Sequence, residues 1–207
     1  MKILKISALL LGIMAAFFAF KGGESYTTLE IGEKAPDVNY KMLNTDSKTY
    51  SLSDLKGGEG TLVVFSCNTC PFVIAWEDRY PGLKELADIN DMSFVLINSN
   101  EAKRAGEDSM EEMIAHAKEM GYDNVSYLID ENSKLANSFG AKTTPHVFLF
   151  DKEWKLVYEG AIDDNYKSSD AVEIAYLNDA IKNLSANKKI DPNNTKALGC
   201  SIKRVKI

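Results

Sequence analysis

A three-layer α/β fold, with helices on both sides of a central sheet, follows from three observations. Residues 61–66 (TLVVFS) and 92–98 (MSFVLIN) are apolar at nearly every position, as strands buried on both faces must be. A stretch of helical periodicity follows each of them. The segments then alternate along the chain as β-α-β-α-β-α-β-β-α, the pattern of a sheet covered by its own connections. The 207 residues suffice for one domain with a sizeable core, and 45% hydrophobic with 26% charged residues is a globular balance.

Residues 1–20 stand apart from this pattern. Lys2 and Lys5 precede an uncharged run at residues 6–20, ISALLLGIMAAFFAF. That run is shorter than the ~20 residues of a membrane span and suits a signal peptide, with an uncleaved N-terminal anchor as the alternative. The mature protein is therefore expected in the periplasm or another extracytoplasmic compartment, touching a membrane only through such an anchor. Loss of Lys2, Lys5 and Lys21 takes the net charge from −6 to −9. An acidic surface repels phosphate backbones, which excludes nucleic acid as a partner.

Residues 21–30 form a polar linker, and 31–186 the domain. Short strands are expected at 37–42 and 49–52 around the turn Asn44-Thr45-Asp46-Ser47. Residues 72–89 read as a helix, kinked or split at Pro81. Residues 109–120 form a helix with a stripe of Met110, Met113, Ile114, Ala117 and Met120, opened by Ser109 with Glu112 three positions on and stopped by Gly121. A strand at 125–129, a helix at 133–139 ended by Gly140, a hairpin of 146–150 with 156–158, and a helix at 171–184 complete the domain. The tail, 187–207, is polar and carries the third cysteine, yet Leu198, Ile202, Val205 and Ile207 predict that it folds back on the domain as a short ordered segment.

The chemistry is expected at Cys67-Asn68-Thr69-Cys70, where a buried strand ends and a helix begins. Unpaired N–H groups at a helix start favour a thiolate, so the first thiol is expected to acidify while the second closes a disulfide. Two blander readings compete. A zinc half-site needs two further ligands, with only Cys200, His116 and His146 on offer. An inert disulfide across so short a loop constrains the unfolded chain little.

Around this pair the chain resembles the thioredoxin superfamily, in its extracytoplasmic redoxin-like branch of thiol-disulfide oxidoreductases. The resemblance covers roughly residues 31–184 and is carried by Gly32-Glu33-Lys34-Ala35-Pro36-Asp37, Tyr50-Ser51-Leu52-Ser53-Asp54-Leu55-Lys56-Gly57, the cysteine pair, Thr143-Thr144-Pro145-His146-Val147-Phe148, and Leu156-Val157-Tyr158-Glu159-Gly160. It implies a thioredoxin-like three-layer fold with a mixed β-sheet and no cofactor. It implies a catalytic pair in which Cys67 attacks and Cys70 resolves, and a cis bond at Pro145 beside it. Thr144 would pair its backbone with an extended substrate strand. The implied partners are protein thiols and disulfides, including a dedicated redox partner protein. His146, next to that proline, is expected near Cys67.

Two alternatives stay open. Cys67, Cys70 and His146 would suit Cu(I) in a metal-delivery protein. A thiol peroxidase is the other, although the Pro-x-x-x-Thr-x-x-Cys run of peroxiredoxins is missing. No acidic residue lies in 61–66, which leaves Glu77 and Glu101 as candidate proton acceptors. The returning tail brings Cys200 to the pair as a third thiol or leaves it on a distant face, and the distant position is the expectation, because Cys67 and Cys70 already make a complete cycle.

Overall fold

The computed structural model describes residues 26–122 and 124–205. The expected signal peptide or anchor at 1–20 and the first half of the linker, 21–25, lie outside the described residues. Strand β1 (Met42–Asn44) and β2 (Thr49–Tyr50) form a short hairpin. Its first strand begins later than expected, because residues 37–40 form a turn in which Tyr40 N–H donates to the Asp37 carbonyl at 2.8 Å. Strand β3 (Gly60–Ser66) is buried along its whole length, as its apolar run requires.

The following helix is split, though not at Pro81. Helix α1 (Pro71–Trp76) passes through one 3-10 turn, Glu77–Arg79, into α2 (Tyr80–Ile89). Pro71 and Pro81 both lie in first turns, where a missing N–H breaks no helical hydrogen bond. Strand β4 (Met92–Asn98) precedes α3 (Met110–Glu119), whose Ser109 cap accepts the Glu112 N–H at 3.3 Å. Strand β5 (Ser126–Ile129) and α4 (Lys134–Phe139) follow. Gly140 ends α4 at φ +62°, and a Cβ there would sit 1.9 Å from the Thr27 carbonyl oxygen, so only glycine fits.

Strands β6 (Thr143–Thr144), β7 (His146–Asp151) and β8 (Leu156–Gly160) come next, then α5 (Tyr176–Ser185). The expected helix from 171 starts only at Tyr176. Asp164 holds the preceding stretch extended, its carboxylate accepting Glu173 N–H at 3.1 Å and its own N–H donating to the Ile174 carbonyl at 3.2 Å. The tail returns as expected and adds β9 (Cys200–Ser201), a strand too short to see in the sequence.

The main sheet runs β2-β1-β5-β4-β3-β7-β8. It is mixed: β3, β4 and β5 are parallel, whereas β7 is antiparallel to β3 and to β8. This is the thioredoxin-like three-layer α/β fold. Alternate residues of β3 feed its two cores. Leu62 and Val64 pack with Trp76, Tyr80, Leu83, Leu177 and Ile181 from α1, α2 and α5. Val63 and Phe65 pack with Leu135 and Phe139 of α4. Among the described residues no helix is long and apolar enough to cross a membrane.

Phe139 is the keystone of the second core, fully buried and edge-on to Phe65, Phe148 and Phe150 with centroids 5.4–5.6 Å apart. Phe139→Ala is expected to cost about 3–5 kcal/mol, the range for an aromatic ring removed from a packed core. Urea unfolding measures it, and a loss below about 1 kcal/mol would contradict this packing.

Candidate active site

The parallel strands β3 and β4 end on the same edge of the sheet, where ligand sites of open α/β sheets gather. Cys67 follows the last residue of β3, and Cys70 is the N-cap of α1. The Thr144-Pro145 peptide bond is cis, as the resemblance implied, and it brings Thr144 against both sulfurs. The Cys67 Sγ lies 3.3 Å from Thr144 Oγ1, and the Cys70 Sγ lies 3.1 Å from the Thr144 carbonyl oxygen, to which it donates when protonated. Both cysteines are free and both are buried. A cavity of about 220 Å³ adjoins them, lined among others by Asp108, Thr144, Cys200 and Lys203. A larger depression of about 430 Å³ lies between α3 and the β1–β2 hairpin and is lined by none of the three cysteines.

The two thiols shift in directions opposite to those expected. Cys67 is not the more exposed thiol, at 2% against 5% for Cys70, and it does not hold the helix start. Its thiol is pushed well above the ordinary range because it hydrogen-bonds to the charged Cys70, with burial adding to the shift. Cys70 is lowered from 9.0 to about 4, first by that same bond from Cys67 and then, against its own burial, by the Cys200 thiol and the Val73 N–H. The two sulfurs share one proton, with the shifts running down at Cys70 and up at Cys67.

A polar cradle that the sequence did not disclose fixes the loop between the cysteines. Asp108 is fully buried and accepts the Asn68 N–H at 3.0 Å, Asn98 Nδ2 at 2.7 Å and Asn100 Nδ2 at 3.0 Å. Asn68 in turn accepts from Tyr127 Oη at 2.9 Å and donates to the Glu107 carbonyl at 2.8 Å. The signal was present in the Asn-rich end of β4, but a carboxylate ten residues beyond it carries no spacing rule. Asp108 is the buried acid whose charge adds to the rise at Cys67. Asp108→Asn, made in Cys70→Ser, is expected to let Cys67 ionise at lower pH. Thiolate ultraviolet absorbance reads this, and an unmoved titration would contradict it.

The two acids expected as proton acceptors are elsewhere. Glu77 is buried against His116 Nε2 at 2.9 Å and Tyr122 Oη at 3.4 Å. Glu101 accepts the Asn132 N–H at 3.0 Å. His146 does not join the thiols either. Its Nδ1 accepts the Lys142 N–H at 3.2 Å, its Nε2 donates to Glu159 at 2.9 Å, and its ring packs on Phe148. With both nitrogens engaged, it presents no free lone pair as a third copper ligand beside the two cysteines.

Cys200 takes the other of the two expected positions, beside the pair and not on a distant face. Strand β9 pairs antiparallel with β6, Cys200 facing Thr144, and Cys200 packs against the small cluster that Cys67, Cys70 and Val73 form. Sequence order does not decide between the two positions, because 129 residues of intervening chain separate Cys200 from Cys70.

A family model described as Redoxin matches residues 30–175. Among solved structures, an uncharacterized conserved protein from Geobacillus kaustophilus is 31% identical, with a TM-score of 0.79 over 88% of this chain and 96% of its own. A hypothetical protein from Sinorhizobium meliloti 1021 is 28% identical, with a TM-score of 0.79 over 88% of this chain and 98% of its own. A peroxidoxin from Mycobacterium tuberculosis shares the fold at 17% identity and a TM-score of 0.58, over 76% of this chain and 97% of its own. No curated protein matches the chain.

Proposed function

Since the chain belongs to the Redoxin family, we propose that it is an exported thiol-disulfide oxidoreductase that exchanges disulfides with protein thiols through Cys67 and Cys70. The observation that carries this reading is the meeting of two free, charge-sharing cysteines with the backbone of Thr144 beside its cis proline. Thr144 and Pro145 are the substrate-binding residues of this reading, because a partner's extended strand aligned on Thr143–Thr144 carries its sulfur to the pair. Export rests on the charged start and apolar run of residues 1–20.

In the reducing direction the Cys70 thiolate attacks one sulfur of a partner disulfide. The other partner sulfur leaves with the electron pair and is protonated. Cys67 then attacks Cys70 Sγ, the second partner thiol is released, and the Cys67–Cys70 disulfide remains. This order is the reverse of the one the resemblance implies. It is favoured by the lowered Cys70 thiol and by the place of Cys70 at the N-cap of α1. Asp108 holds the loop and keeps charge off Cys67, which makes it a positioning residue.

Insulin reduction in the presence of dithiothreitol tests the reading. The wild-type chain is expected to accelerate it and to yield the Cys67–Cys70 disulfide when the reductant is exhausted. A chain that leaves insulin untouched while consuming hydrogen peroxide rapidly would give the assignment to the thiol peroxidase alternative.

A further inference from the structure

The edge that the proposed function reserves for a partner is filled by the chain's own tail. Strand β9 lies antiparallel on Thr143–Thr144, in the register Thr143 with Ser201 and Thr144 with Cys200. This is a fitted contact. A Cβ on Gly199 would stand 2.3 Å from the Thr144 carbonyl oxygen and 2.7 Å from its carbon, so the tail approaches this closely only because residue 199 is glycine. Beyond it, Ile202 is buried and its N–H donates to the Lys142 carbonyl at 3.0 Å. Lys203 is held through both peptide groups, N–H to Asn100 Oδ1 and carbonyl from the Ala102 N–H, each at 2.8 Å. Arg204 donates to the Ala141 carbonyl at 2.6 Å and to Asn137 Oδ1 at 2.7 Å.

The tail therefore presents a cysteine where a partner's cysteine would lie. Cys70 is the middle sulfur of the three, with Cys67 on one side and Cys200 on the other, both interacting with it. We propose that Cys200 is a third redox thiol, which takes over the disulfide at Cys70 whenever no partner occupies the Thr143–Thr144 edge. The proposal rests on the reading of Cys67 and Cys70 as the exchanging pair.

The step conserves disulfides. The Cys200 thiolate attacks Cys70 Sγ in the oxidised pair, and the Cys70–Cys200 bond forms as the Cys67–Cys70 bond breaks. The electron pair departs on Cys67 Sγ, which takes the proton that Cys200 gave up. One disulfide and one thiol are present before and after, and no outside oxidant or reductant is consumed. Oxidation of the pair itself readies the attacker. Burial first, and then the charged Cys70 beside it, raise the Cys200 thiol in the reduced chain, and disulfide formation removes that charge while Lys203 stays nearby. A partner strand entering the edge displaces the tail and restores the thiol to solvent, so that one edge selects between internal and external exchange.

The test uses the full chain carrying Cys67→Ser, oxidised with one equivalent of diamide and mapped by non-reducing peptide mass spectrometry. The expected result is an intramolecular Cys70–Cys200 disulfide in monomeric protein. Adding Gly199→Ala to this variant is expected to slow closure by about tenfold or more, since the tail then loses the local concentration that docking supplies. Two free thiols after oxidation, a bond between chains instead of within one, or closure indifferent to Gly199→Ala would overturn the proposal. Insulin reduction by the wild-type chain reports separately on the pair. Activity there with an open Cys70–Cys200 in Cys67→Ser rejects the third thiol alone, and inactivity rejects the reading beneath it.

Discussion

Cys70→Ser is expected to reduce insulin no faster than dithiothreitol alone. Cys70 is the one sulfur that touches all the parts of the site. It carries the charge, it donates to the Thr144 carbonyl when protonated, and it lies between Cys67 and Cys200. A serine hydroxyl at this position is neither ionised nor able to form a disulfide, and the Cys67 thiol left behind is raised by burial in a pocket that also holds the Asp108 charge. The loss is therefore of the reaction and not of the fold. Far-ultraviolet circular dichroism and the urea midpoint of the variant serve as the control, and wild-type turnover by Cys70→Ser would remove Cys70 from the attacking role.

The second large effect is on pH dependence. With Cys70 lowered from 9.0 to about 4, the reduced protein keeps a thiolate across the neutral range. At about pH 6 a free thiol is well below one per cent ionised, so residue-resolved alkylation by iodoacetamide is expected to stay fast at Cys70 and slow at Cys67. The same shift enters stability with a defined sign. A group whose folded-state pKa is depressed contributes stability that is fully present above the unfolded value near 9.0 and lost as pH falls through about 4. Reduced wild-type protein is thus expected to gain stability relative to Cys70→Ser as pH rises across that window. Cys67 works in the other direction only above it, since a raised thiol penalises the folded state where the unfolded thiol ionises. Parallel urea-stability curves for wild type and Cys70→Ser between those limits would contradict the placement of the charge.

What the sequence disclosed, and what it hid, divides along a physical line. Strands β3 and β4 were legible because burial on both faces forces an unbroken apolar run. Helix α3 was legible because Ser109 and Gly121 mark its ends. The site was half legible. Cys67, Cys70 and Thr144 lie in local motifs and come together, and the Thr144-Pro145 bond is cis. Their charge assignment did not follow, because it depends on which sulfur reaches Val73 and Cys200 and which lies deeper, and three residues of spacing cannot report depth. His146 was misplaced for a similar reason. Its neighbour in the sequence is Pro145, but its partners are Lys142 and Glu159. Asp108 was missed as a site residue and the position of Cys200 was left between two faces because each arrives through tertiary structure, one on the loop after β4 and the other on a tail that pairs with β6.

The most direct test of the exchange is to catch it halfway. In the Cys67→Ser, Cys200→Ser double variant, Cys70 is the remaining cysteine of the three, with no second thiol in the chain to release what it captures. Incubated with insulin, this variant is expected to accumulate a stable mixed disulfide that peptide mapping places on Cys70 and that dithiothreitol dissolves. Absence of any adduct, or accumulation of one on Cys67 in Cys70→Ser in its place, would contradict the account of Cys70 as the sulfur that meets the partner.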